Sequence, residues 1–234
     1  MIRRLIDQGN SLIAWTKKTR RVRLNGGVVK VNAGSSLSVI EGWINVDGSP
    51  HVLFASWPEP VLKLLYKVSD AKNWCGEPDS YLHQLKNHFF IHHNLEYGLP
   101  FPDDSVDFVY SSHVLEHFYP YAAEHVLRDA YRVLKNRGRL RVCVPDLQHA
   151  YALYGQGHKE KALSYFFEQR SGEFNRHRYM YDFDLLAALL EKAGFRSIER
   201  CAYQQGLVPD LDRLDNRPEE TLYVECVKWF ESIG

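Results

Sequence analysis

The stretch Leu99-Pro100-Phe101-Pro102-Asp103-Asp104-Ser105-Val106-Asp107-Phe108-Val109-Tyr110-Ser111-Ser112-His113-Val114-Leu115-Glu116-His117-Phe118 decides the fold class. Its two prolines and paired aspartates make a loop, and Val106 to Tyr110 is an apolar run of strand length. The turn that follows ends in a carboxylate and two imidazoles. A nucleotide-binding α/β sheet holds its ligand beyond the carboxyl ends of its strands, so this turn is a candidate site.

Working outward, short apolar runs alternate with helix-like patterns from residue 28 onward, the sign of a mostly parallel sheet covered by helices. Strands are expected at Val28 to Ala33, Trp43 to Val46, Phe89 to His92, Val106 to Tyr110 and Arg139 to Val144, with two late ones at Ser197 to Tyr203 and Leu222 to Lys228. Between Tyr121 and Leu134, Ala123, Val126, Leu127, Ala130 and Leu134 recur at helical spacing, with Gly138 as a stop soon after. A second helix is capped by Asp182 or Asp184, carries an apolar stripe from Leu185 to Ala193 and stops at Gly194. The apolar segment Val52 to Tyr66 reads as a buried cover helix, with an acceptor lid or a weak membrane contact as alternatives.

Composition narrows the function classes. The 234 residues suit one domain with a sizeable core, and 29 basic residues balance 29 acidic ones, so no global field gathers nucleic acid. Cys75, Cys143, Cys201 and Cys226 lie too far apart for a zinc knuckle or a redox pair, which fits reduced thiols in the cytoplasm. No run reaches the ~18 apolar residues of a membrane span, and the N-terminus lacks a signal-peptide pattern. Residues 1–27 form a basic, amphipathic extension ending in Lys17, Lys18, Arg20, Arg21 and Arg23, expected to pack on the domain of 28–234 and able to touch an anionic surface.

Three strand ends suggest a ligand site. The first leads through Asn32-Ala33-Gly34-Ser35-Ser36, with a glycine where backbone must approach a ligand closely. The second ends in Asp47, whose carboxylate can accept from both hydroxyls of a ribose. The third leads to His93-Asn94-Leu95, which can meet an adenine edge with a side-chain amide.

The order of these elements resembles the class I S-adenosylmethionine-dependent methyltransferases, in particular small methyltransferase-like proteins of cell-wall and surface-polysaccharide biosynthesis. The likeness rests on Gly34, Gly42-Trp43-Ile44-Asn45-Val46-Asp47, the stretch 99–107 and His113-Val114-Leu115-Glu116-His117. It continues through Ala130 to Lys135, Val144 to Leu147, His177 to Asp182 and Ala193-Gly194-Phe195. It implies a Rossmann-like, seven-stranded, mostly parallel sheet with helices on both faces, its last pair containing an antiparallel strand. It implies S-adenosylmethionine held by Asn32, Gly34, Ser35, Asp47, Asn94, Leu95, Ser111 and Ser112. Ser36 stands where the family usually has a second glycine, and Asn94 where it usually has an acid.

Methyl transfer from a sulfonium is an in-line displacement in which the protein aligns the partners and, for a hydroxyl acceptor, removes a proton. His113 is the first candidate base, with His117 and His177 beside it and Asp146 and Glu116 as orienting or basic carboxylates. Tyr179 and Tyr181 could shape the acceptor pocket. The expected acceptor is a small or glycan-like hydroxyl compound, with no nucleic acid partner and no metal ligand assigned. Two alternatives remain at this point: a catalytically inactive binding protein on the same fold, and a zinc hydrolase using His113-x-x-Glu116-His117, a pattern that requires a long helix.

Overall fold

A computed structural model of the protein describes residues 2–24, 26–69, 71–167 and 176–230. Seven strands form one sheet: β1 (Lys30–Ala33), β2 (Ile44–Asp47), β3 (Phe89–His92), β4 (Val106–Ser112), β5 (Leu134–Pro145), β6 (Arg196–Cys201) and β7 (Thr221–Val227), ordered β3-β2-β1-β4-β5-β7-β6. All pairings are parallel except those of β7, which runs antiparallel to both β5 and β6. The expected sheet, including its antiparallel member, is present. Central strands covered on both faces must be apolar throughout, and Val31, Val109, Leu140, Val142, Val144 and Val224 are buried accordingly.

The helices are α1 (Ile2–Thr16), α2 (Pro50–Phe54), α3 (Glu59–Val68), α4 (Lys72–Cys75), α5 (Pro78–Asn87), α6 (Pro120–Val133), α7 (Leu147–Gly155), α8 (Lys159–Ser164), α9 (Phe183–Ala193) and α10 (Leu211–Leu214). α6 buries Ala123, Val126, Leu127, Ala130 and Val133, and α9 buries Leu186, Leu190 and Ala193, on the stripes expected of them. Asp182 caps α9 by accepting the Leu185 N–H at 2.9 Å, and Gly194 closes it in the left-handed conformation.

Strand ends shift by one or two residues in several places, and four differences matter for the fold. The β5 strand begins at Leu134, directly after α6, because Leu134 turns to extended backbone and pairs with Val106. Gly138 therefore lies inside β5 instead of stopping the helix. β4 runs on to Ser112, and β6 ends at Cys201. The Val52 to Tyr66 segment is two helices, since Pro58 interrupts the ladder and starts α3. Leu62 and Tyr66 of α3 pack with Tyr81, Leu82 and Leu85 of α5 and Leu65 is buried, while Leu64 and Val68 face outward, so the segment is a cover with one apolar outer face.

The extension is helical over Ile2–Thr16, with its basic run Lys17 to Arg23 following the helix, and it is docked. Asn10 of α1 donates to the Gly48 carbonyl at 2.6 Å and accepts from His92 Nε2 at 2.9 Å, while Lys17 Nζ lies 3.3 Å from His92 Nδ1. No helix among the described residues is long and apolar enough to cross a membrane. A cavity of about 430 Å³, lined in part by Val22, Ile40, Trp43 and Phe89, sits at the amino ends of β2 and β3, away from the carboxyl ends discussed next.

Candidate functional site

Strand order reverses between β1 and β4, and that switch point opens a crevice at the carboxyl ends of the parallel strands. Gly34 leaves β1 at φ 78°, its N–H bonded to the Val46 carbonyl at 2.8 Å. A Cβ at Gly34 would stand 2.3 Å from Val114 Cγ2, so this glycine lets the loop after β1 close on the loop after β4. Ser36 takes φ 44° with its side chain exposed, in the conformation a second glycine would adopt.

Asp47 ties the next two loops together: its Oδ2 accepts the Ser36 N–H at 2.9 Å and its Oδ1 the Ser49 N–H at 2.7 Å. Each oxygen keeps a lone pair, and the neighbouring Ser49 Oγ is buried without a partner among the described residues. Gly48 abuts Asn94, where a Cβ would come 3.4 Å from Asn94 Cα. Asn94 caps the turn Leu95–Tyr97, its Oδ1 accepting the Glu96 N–H at 3.0 Å. Gly34, Asp47 and Asn94 thus meet on adjacent strand tips, a donor and acceptor set that fits a nucleoside.

The other residues expected at the cofactor lie at the same strand ends. Asn32 is buried within the sheet and donates to the Ser38 carbonyl at 2.9 Å and to Asn45 Oδ1 at 3.2 Å, so it braces the loop from beneath. The Leu95 side chain is part of the main core, and Ser35 and Ser111 are buried. Ser112 ends β4 half-buried at the rim.

On the acceptor side, a short 3₁₀ turn, Leu115–His117, follows β4. The segment 178–179 is laced to it, with the N–H groups of Arg178 and Tyr179 both donating to the Glu116 carbonyl, at 2.7 and 3.2 Å. This brings His177 to the turn. The Glu116 carboxylate has no solvent exposure, and neither oxygen makes a hydrogen bond among the described residues. Nearest are His113 Nδ1 at 3.3 Å and His177 Nε2 at 4.0 Å. Burial alone would raise the Glu116 carboxyl, but the neighbouring imidazoles of His113 and His117 outweigh it and hold the group below the usual range.

His113, at φ 54°, has both ring nitrogens engaged: Nδ1 faces Glu116 and Nε2 lies 3.1 Å from Thr221 Oγ1 at the start of β7. Placed between Glu116 and Thr221, His113 orients the carboxylate. His117 Nδ1 donates to the Arg176 carbonyl at 3.2 Å and His177 Nδ1 to the Tyr165 carbonyl at 2.6 Å, which leaves Nε2 of each ring without a hydrogen bond among the described residues. Burial lowers the His117 pKa, only partly countered by Glu116, so its ring favours the neutral form. Tyr181 is buried, and its hydroxyl has no partner among the described residues. Asp146 Oδ1 caps α7 by accepting the Gln148 N–H at 2.9 Å, and its Oδ2 pairs with Arg200 at 2.7 Å.

The hydrolase pattern is not realised, since His113, Glu116 and His117 lie on a strand end and a 3₁₀ turn instead of a long helix. The structure brings together Glu116, His117 and His177, which sequence reasoning named, while Thr221 and the two carbonyls that orient the rings were missed. Those partners are far away in sequence and carry no local signal.

Residues 68–142 match the methyltransferase domain family. No curated protein matches the chain. Among solved structures, a chain of the complex between the Haloferax volcanii Trm112 methyltransferase activator and a methyltransferase is 16% identical, with 97% of this chain and 95% of that one covered at TM-score 0.50. A SAM-dependent methyltransferase from Archaeoglobus fulgidus is 15% identical over 95% and 94%, at TM-score 0.50. The S-adenosylmethionine-dependent methyltransferase SibL is 17% identical over 98% of this chain and 57% of that one, at TM-score 0.51. At such identities these likenesses establish the fold, that of class I methyltransferases. With the family match, the cofactor they support is S-adenosylmethionine.

Proposed function

We propose that the protein is an S-adenosylmethionine-dependent methyltransferase acting on a small or glycan-like hydroxyl acceptor, in surface polysaccharide biosynthesis. The observation that carries the reading is the meeting of Gly34, Asp47 and Asn94 at the switch point, beside a polar site on the turn after β4. The cofactor supplies a methyl group as a sulfonium electrophile: the carbon–sulfur bond breaks with its electron pair left on sulfur as the bond to the acceptor oxygen forms. Asp47 would accept from the ribose hydroxyls, Asn94 would flank the adenine, and the Gly34 loop would lie beside the methionine end. A hydroxyl acceptor must also lose a proton, and the free Nε2 of His117 or His177 can take it. The imidazole-rich lining supports an oxygen acceptor, and the sequence resemblance supports a sugar.

The deciding experiment is calorimetric titration of the chelator-treated protein with S-adenosylhomocysteine, alongside Asp47→Ala. Micromolar binding, weakened at least tenfold in the variant, supports the reading. An intact, folded protein that takes up none would overturn it.

A further inference from the structure

Glu116, His117 and His177 each offer one ligand atom, and the three atoms lie within 4.8 Å of one another. A tetrahedral ion with bonds of ~2.1 Å separates its ligands by roughly 3.4 Å, so an inward shift of about an ångström closes the set. The chemistry of the donors is more telling than their spacing. Both histidines spend Nδ1–H on backbone carbonyls, which turns Nε2 into the lone-pair atom of each ring. The third donor is a fully buried carboxylate without a hydrogen bond to either oxygen among the described residues. Three electron-rich groups therefore converge, and among the described residues the side-chain donor nearest the carboxylate is His113 Nδ1, at 3.3 Å on its other side, an arrangement that a cation would stabilise.

The surroundings are those of a ligand shell. Rings fixed through Nδ1 to carbonyls are the usual outer support of histidine ligands, and His113, held by Thr221, faces the carboxylate from the other side. The unpartnered Tyr181 hydroxyl adds a further buried oxygen in the same region.

We propose that Glu116, His117 and His177 bind a divalent ion of borderline softness, such as Zn²⁺ or Co²⁺, with coordination positions left open toward the crevice. Two imidazoles and one carboxylate suit such ions better than Mg²⁺ or Ca²⁺, which prefer oxygen alone. Resting on the methyltransferase reading, the open positions would take an oxygen of the acceptor and lower the pKa of its hydroxyl; with both Nε2 atoms bound to the ion, the proton would leave to solvent water and not to His117 or His177. Specificity then extends to acceptors that can present a coordinating oxygen beside the methylated one.

The test uses the full chain after chelator treatment, titrated with Co²⁺ and followed by its visible ligand-field absorption, with Zn²⁺ titrated by calorimetry. One equivalent of each is expected to bind. Glu116→Gln and His177→Asn should each weaken binding at least tenfold, the smallest loss expected even for groups that only support a ligand. S-adenosylhomocysteine affinity should be unchanged in both variants. Absence of a cobalt spectrum and of zinc heat in the intact chain overturns the proposal, as does wild-type metal affinity in a folded variant. Should Glu116→Gln fail to fold, His177→Asn, which lies outside the strands and helices, decides between the same two outcomes. A protein that binds metal but no S-adenosylhomocysteine would overturn the methyltransferase reading and leave the metal site standing.

Discussion

Arg141 Nη2 lies 2.5 Å from Asp215 Oδ2, and neither side chain has any solvent exposure. Arg141 on β5 also pairs with Glu225 on β7 at 3.1 Å and donates to the carbonyls of Ala202 and Gln205. The two carboxylates take the remaining load: Asp215 accepts from Gln204 N–H and the Tyr110 hydroxyl, Glu225 from the N–H groups of Leu207 and Val208. Gly206 completes the fit, since a Cβ there would stand 2.1 Å from Glu225 Oε1. This network pins the segment 202–215 onto the antiparallel end of the sheet.

Arg141→Met should therefore destabilise the protein by about 3–5 kcal/mol, because it leaves two buried carboxylates without their cation. Denaturant unfolding measures the loss. At low temperature, where the variant still folds, its S-adenosylhomocysteine affinity should match wild type, since the network lies away from Asp47 and Asn94.

The contrast between this network and the sheet shows what a single sequence discloses. Strands such as Val28 to Ala33 and stripes such as Leu185 to Ala193 obey periodicities that burial imposes locally, so they can be read directly. Glycine, aspartate and asparagine at strand tips are legible for the same reason, since topology puts every tip at one end of the sheet. Arg141, Asp215 and Glu225 look like ordinary surface charges until tertiary pairing brings them together. The same blindness hid the partner of His113: Thr221, more than a hundred residues later, lies 3.1 Å from its Nε2.

Gly34→Ala tests the loop closure. The added methyl group meets Val114 Cγ2 at 2.3 Å, and φ 78° disfavours any side chain, so both effects act in the same direction. The left-handed backbone alone costs about 1–2 kcal/mol. Thermal denaturation should register that loss, and S-adenosylhomocysteine affinity should drop at least tenfold as the loop after β1 is forced off the loop after β4. Wild-type affinity would show that the loop does not face the cofactor.

Ser36→Gly should act the other way. Ser36 sits at φ 44° with an exposed side chain, so glycine relieves a left-handed strain of about 1–2 kcal/mol while giving back about 0.4–1 kcal/mol of unfolded-chain entropy. A net gain of about 0.5 kcal/mol in denaturant unfolding is expected from that difference, with cofactor affinity no weaker than wild type. A loss of affinity would mean that the hydroxyl itself contacts the ligand.

We propose that α1 gives the domain a weak contact with anionic membranes. Leu12 and Trp15 are 64% and 52% exposed, and Lys18 lies over the Trp15 ring at 4.8 Å, next to the basic run that ends at Arg23. Co-sedimentation with vesicles rich in phosphatidylserine should be measurable at low salt and abolished in a Leu12→Glu, Trp15→Glu variant. Equal failure of both proteins to pellet would dismiss the contact.

His92 couples the docking of α1 to pH. Burial is the main reason that its pKa falls to about 4, and Lys17 adds repulsion, while the Gly48 backbone and Asp47 on β2 act weakly the other way and His93 adds to the lowering. The neutral ring donates from Nε2 to Asn10 and accepts from Lys17 at Nδ1, so a second proton would break the contact with Lys17 and set two cations side by side. An unfolded chain protonates this histidine near a pH of about 6.5, well above the folded value, so between those two pH values the unfolded state binds the extra proton. Stability from His92 is thus fully present above pH ~6.5, declines as pH falls toward about 4, and changes no further below that. Thermal denaturation from about pH 7.5 to about pH 4.5, a range that brackets most of this window, should show a shallower decline in His92→Gln than in wild type. Limited proteolysis should cut ahead of residue 24 sooner in wild type as the medium is acidified. Parallel pH profiles for the two proteins would refute the coupling.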